Sequence, residues 1–175
     1  MGRHFGLNAA PDRAPVARPG SVTTAIGLIA GSENNPAKRW PVAHWRALIE
    51  ARPNDRFVLF GTANDRPITD AVAAGFGDRV ENLAGRTSLP DYCARLQSCR
   101  ALVTNDTGGM HLANALGVPL IALFGPTNPV RTGPVFSTPA TILQPPGCPA
   151  TGGLPLDQLA PAQVLAALDG ALGGC

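Results

Sequence analysis

The sequence predicts an α/β fold, a doubly wound parallel sheet of five to six strands. Three observations carry that reading. Short apolar runs at Ala25–Ala30, Phe57–Phe60, Val80–Leu83, Ala101–Thr104 and Leu120–Phe124 alternate with longer amphipathic stretches. The runs are continuously apolar, as parallel strands covered on both faces are. The polar residues with no structural task gather just after the runs, at the carboxyl ends of the strands, where ligands of such sheets sit.

The elements follow in order. Met1–Ser21 is polar and proline-rich and reads as a linker or tail, leaving 22–175 as one domain. After the first strand comes a polar loop, Gly31–Arg39. Pro41 suits a helix start, and Val42–Ala51 puts Trp45, Leu48 and Ile49 on one face. Gly61–Asp65 is the turn after the second strand, with a helix over about Pro67–Ala74. Ser88 followed by Asp91 is a shortened capping box, and it opens a helix over Leu89–Ser98. Ala140–Leu143 is a candidate sixth strand. Pro161–Leu172, with Val164, Leu165 and Leu168 apolar, is the last helix.

The chain is organised around Ala101–Thr127, ALVTNDTGGMHLANALGVPLIALFGPT. It reads as strand, turn, helix, turn, strand, with Gly117 as the residue just past the helix. A helix starting on a glycine pair beyond a strand presents free N–H groups and a positive dipole end, which suits an anion. His111 shares the edge of Thr107 and Gly108 by helical spacing. The structural alternative is an Asp106 N-cap on a tight glycine turn. Asp, Thr, Gly and His together within six residues exceed what an ordinary turn needs.

Composition narrows the function. With 175 residues, 45% of them hydrophobic, the chain can bury a sizeable core. A net charge of +2 without a basic run argues against nucleic acid as a partner. Cys93, Cys99, Cys148 and Cys175 show no metal spacing and read as reduced thiols of a cytoplasmic protein. No apolar run approaches a membrane span, and the first twenty residues lack the apolar centre of a signal peptide. No GxGxxG follows the first strand, which argues against an ordinary NAD-type domain.

Two stretches, GSENNPAKRWP at Gly31–Pro41 and TNDTGGMHLANALGVPLIALFGPT at Thr104–Thr127, resemble glycosyltransferase family 9. These are the heptosyltransferases of the lipopolysaccharide inner core. PAKRWP, with NLAGRTSL at Asn82–Leu89, is most similar to the heptosyltransferase II branch. The resemblance covers about Ala25 to Gly133. It implies a GT-B fold of two Rossmann-like domains across a cleft, with this chain as the C-terminal, donor-binding half. It also implies transfer of a heptose from ADP-heptose to a sugar hydroxyl with inversion, and a metal-independent reaction without cofactor. The acceptor half and its acidic base are missing, so no catalytic residue is expected in this chain. The lipopolysaccharide acceptor, and any approach to the inner membrane, would come through that missing domain.

The resemblance assigns roles residue by residue. Lys38 matches the lysine of the family's KxWP motif, a compact cation for the diphosphate. Thr107, Gly108 and Gly109 give phosphate donors, and Asp106 accepts from hydroxyls of the donor sugar. His111 donates to phosphate or sugar, and Ser32 reaches the phosphate from the first loop. Asp65 or Asn64 contacts the nucleoside, the choice between them staying open. Arg39 reads as solvent-facing or a linker partner, Trp40 and Pro41 as anchors of the loop, and Thr127 as a far-lip or turn residue. Two other readings compete: a stand-alone nucleotide-binding module, and half of another GT-B enzyme such as a nucleotide-sugar epimerase.

Overall fold

The computed structural model describes residues 13–18, 22–32 and 35–173. Six strands form one sheet: β1 (Ile26–Ile29), β2 (Phe57–Leu59), β3 (Val80–Asn82), β4 (Ala101–Asn105), β5 (Leu120–Leu123) and β6 (Ala140–Leu143). Their order is β3-β2-β1-β4-β5-β6, and every neighbouring pair is parallel. The helices are α1 (Val42–Glu50), α2 (Arg66–Ala73), α3 (Leu89–Ser98), α4 (Gly108–Ala115), α5 (Pro129–Thr132) and α6 (Pro161–Gly173).

The order fixes which helix covers which face. Right-handed crossovers from β1 through β2 to β3 place α1 and α2 on one side. The chain then returns to β4 and proceeds to β5 in the opposite direction, so α3 and α4 cover the other side. Strand residues alternate accordingly. Leu28, Val103 and Ile121 join Trp45, Leu48, Ile49, Val72, Val164 and Leu168 in the core under α1, α2 and α6. Ile29, Leu102 and Ala122 join Leu96, Met110 and Ala113 under α3 and α4.

Capping chemistry agrees with the sequence. Ser88 Oγ accepts from Asp91 N at 3.3 Å at the start of α3, and Gly117, with φ of 76°, turns the chain out of α4. The four-residue α5 and single 3-10 turns such as Pro36–Lys38 and Ala63–Asp65 were not expected, being too short to show a hydrophobic period.

Within the expected linker, residues 13–18 lie along the amino-terminal edge of the sheet. Ser137 N donates to Arg13 O at 3.0 Å and Val16 N to Ala115 O at 2.8 Å. The Arg18 guanidinium donates to the carbonyls of Gln97 and Cys99. These partners precede β4, β5 and β6, so this stretch is fastened beneath three strands. The rest of Met1–Ser21, like Cys175, lies outside the described residues. Cys93, Cys99 and Cys148 are free thiols, and burial pushes the Cys99 thiol up to about 12. No helix among the described residues is long and apolar enough to cross a membrane.

Candidate functional site

Strand order reverses between β1 and β4, so the loops that leave their carboxyl ends diverge and open a cavity of about 730 Å³. Asn105, the last residue of β4, holds the two sides together. It is fully buried; its Nδ2 donates to Ala30 O at 2.8 Å and its Oδ1 accepts from Trp40 N at 3.3 Å. Trp40 is 1% exposed, and its Nε1 donates to Leu159 O at 2.8 Å. Trp40 therefore anchors the first loop, as expected, and does not line the cavity. The importance of Asn105 is not readable from sequence, because its partners are backbone groups 65 to 75 residues away.

Lys38 ends the one-turn Pro36–Lys38 helix, which Asn35 opens by accepting from Ala37 N at 3.0 Å. That turn swings the ammonium across to the β4 loop, where Nζ donates to Asp106 Oδ2 at 2.9 Å. The Asp106 side chain is 5% exposed and that of Lys38 is 24% exposed, so the pair is largely shielded. Asp106 is consequently not a helix cap: Thr107 holds that place at α4 and makes no side-chain capping bond. Thr107 Oγ1 is buried without a hydrogen-bond partner among the described residues, and Thr107 and the Gly108-Gly109 turn face the cavity beside Lys38. A buried hydroxyl left without a partner on a cavity wall is suited to a ligand oxygen.

The second lobe lies over β2 and β3. Asp65 is 5% exposed, and its Oδ2 accepts from Thr62 N at 2.9 Å and from Thr62 Oγ1 at 3.0 Å. Its other oxygen, Oδ1, has no partner among the described residues. Of Asn64 and Asp65, Asp65 is the one on the cavity wall. The wall continues through Gly61, Ala63, Gly85, Thr87, Ser88, Leu89 and Tyr92, which the sequence reading did not single out as site residues. Leu89, 69% exposed, and the ring of Tyr92 add apolar surface to this lobe. The signals in the sequence were the NLAGRTSL stretch at Asn82–Leu89, the Gly61–Asp65 turn after the second strand and the Ser88 cap, which marks a helix opening at this edge.

Two expectations change. His111 is half-buried and absent from the cavity wall, where Leu112 takes the place. Arg39 is not solvent-facing: its Nε and Nη2 donate to Ser32 O at 3.1 and 2.8 Å. A loop carbonyl outside the sheet ladder needs a donor, and the guanidinium fork supplies two. Thr127, read as a far-lip or turn residue, lies in a bend off the cavity wall with its hydroxyl buried. Ser32, 6% exposed, does line the cavity.

Among the described residues the arrangement offers the Lys38 ammonium, a helix N-terminus and an orphan hydroxyl at one end, and Leu89 and the ring of Tyr92 as apolar surface at the other. That suits a ligand with an anionic group joined to a flat one. Of the two described carboxylates on the wall, Asp106 is held by Lys38, and Asp65 is held by Thr62 through Oδ2 alone, leaving Oδ1 without a partner among the described residues. Among the described residues no three His, Cys, Asp or Glu side chains are grouped to hold a metal ion.

The family model of glycosyltransferase family 9 (heptosyltransferase) matches residues 5–149. The chain belongs to this family. Among family 9 relatives, the lipooligosaccharide heptosyltransferase 2 of Haemophilus influenzae is 41% identical over 125 residues, covering 68% of this chain and 36% of that protein. The structure of E. coli ADP-heptose lps heptosyltransferase II superposes with a TM-score of 0.76 at 31% identity, over 98% of this chain and 49% of that one. E. coli heptosyltransferase WaaC, solved with ADP, superposes with a TM-score of 0.73 at 25% identity, over 97% of this chain and 48% of that one. The chain thus spans about a third of the length of the curated relatives it matches and about half of the solved family 9 chains. Its six-stranded parallel sheet with helices on both faces is the architecture it shares with them.

Proposed function

We propose that this chain is the donor-binding half of an inverting heptosyltransferase of lipopolysaccharide core synthesis, taking ADP-heptose, and that it transfers nothing without an acceptor-binding half. The observation that carries the reading is the juxtaposition of Lys38, Thr107 and the first turn of α4 on one wall of the switch-point cavity. Lys38 and the free N–H groups of α4 stabilise charge as it develops on the departing diphosphate. The nucleoside lies in the lobe of Gly61, Thr87 and Leu89, and the sugar lies toward Asp106. Solved family 9 structures carrying ADP and ADP-2-deoxy-2-fluoro heptose support the ligand class.

Calorimetric titration tests the reading. The purified chain should bind ADP and ADP-heptose, and should release no ADP from ADP-heptose when offered a lipopolysaccharide acceptor. Failure to bind either nucleotide would overturn the donor-site assignment, and turnover by the chain alone would overturn the need for a second half.

A further inference from the structure

Tyr92 lines the cavity with its ring, and its hydroxyl also reaches into the site. It stands on the second turn of α3, half-buried, with its ring edge-on to Phe60 at 5.3 Å between centroids and 69° between planes. That contact aims the hydroxyl across the cavity floor at the first turn of α4. A Cβ built on Gly109 would lie 2.9 Å from the Tyr92 hydroxyl oxygen and 2.6 Å from Ile29 Cδ1, so a glycine at 109 is what lets the phenol reach that turn. No hydrogen bond engages the hydroxyl among the described residues. Tyr92 lines the same cavity as Lys38 and the Gly61–Leu89 lobe, with its hydroxyl close to Gly109 at the start of α4.

We infer that Tyr92 is a ligand-contacting residue whose hydroxyl donates to an oxygen of the phosphate nearest the nucleoside; this rests on the cavity being a nucleoside-diphosphate site. Two features select phosphate over a ribose hydroxyl. The first turn of α4 attracts an anion to the very place the phenol reaches. Asp65, the neighbouring charge, already has a free acceptor oxygen for a hydroxyl, whereas Tyr92 is the donor that an anion beside Asp65 requires. Burial, with the Asp65 charge adding to it, pushes the phenol up to about 12, so the donor proton is retained throughout the working range. Tyr92 thereby separates two like charges, the Asp65 carboxylate and the bound phosphate, with a neutral dipole.

Tyr92→Phe keeps the ring and its Phe60 contact and removes only the hydroxyl. ADP, AMP and adenosine titrated into the full 175-residue chain and this variant, beside a melting curve for each, read the contact out. The expected result is about a tenfold loss for ADP and for AMP, from one charge-assisted hydrogen bond, with adenosine unchanged and melting within a degree or so. Unchanged ADP and AMP affinities would overturn the inference and leave the donor site standing. Equal losses for adenosine and AMP would move the contact to the nucleoside and overturn it as well. A wild-type chain that binds no ADP would remove both readings together.

Discussion

Lys38→Ala is the most searching perturbation of the site, because it acts on a ligand and on a neighbour at once. In the free protein one of the three ammonium donors is spent on Asp106 at 2.9 Å. The other two remain for a diphosphate. Removing the ammonium deletes a charge-assisted contact of about 1.5–3 kcal/mol, hence about a ten- to hundredfold loss of ADP affinity. It also leaves Asp106, only 5% exposed, as an unpaired carboxylate facing the ligand. Stranding that charge costs about 1–2 kcal/mol of stability, held to that range by the adjacent N-terminus of α4. For a chain of this size Tm should fall by about 3–6 °C. Asp106→Asn works in the opposite sense for ADP. The carboxylate that competes for Lys38 and repels the diphosphate is gone, and ADP should bind several-fold tighter, while ADP-heptose loses the sugar contact. The double variant should recover the Tm and part of the ADP affinity lost in Lys38→Ala. Calorimetric titration with both ligands and a melting curve for each protein complete the cycle. Unaltered ADP affinity in Lys38→Ala would refute the phosphate assignment. Weaker ADP binding in Asp106→Asn would refute the competition argument and make Asp106 an orienting partner of Lys38.

The remaining predictions concern the frame. Trp40→Phe should lower stability by about 1.5–3 kcal/mol, since it orphans the Leu159 carbonyl and opens space in a closed core; urea titration measures it. Arg18→Ala should cost about 1 kcal/mol by releasing the carbonyls of Gln97 and Cys99, with ADP binding unchanged because those bonds lie at the far edge of the sheet. At high pH the raised Tyr92 and Cys99 groups lend stability that is fully present below about pH 9 and is lost as pH rises toward 12, because the folded state holds their protons more tightly. Melting curves through that window should show the fall, and Tyr92→Phe should make it shallower.

The sequence by itself determined the elements and their kind. Continuous apolar runs separated by helical periods dictated a parallel sheet, and Ala140–Leu143 emerged as a strand at the expected residues. The long motifs around Lys38 and Thr107 were legible because their residue types sit close together in the chain. What lay beyond it was decided by contacts across long separations. Asn105 matters through Ala30 and Trp40, and Trp40 through Leu159, 119 residues away. Asp106 read as a sugar contact or a cap, yet the meeting of the β1 and β4 loops at the strand-order reversal brought it to Lys38. His111 shares a helical edge with Thr107 by spacing, but Leu112 and not His111 lines the cavity, a matter of how α4 is seated that spacing along one helix does not record. Tyr92 carries no motif at all. Periodicity records which face of an element is buried, whereas only the packing of α3 against α4 sets what its hydroxyl reaches.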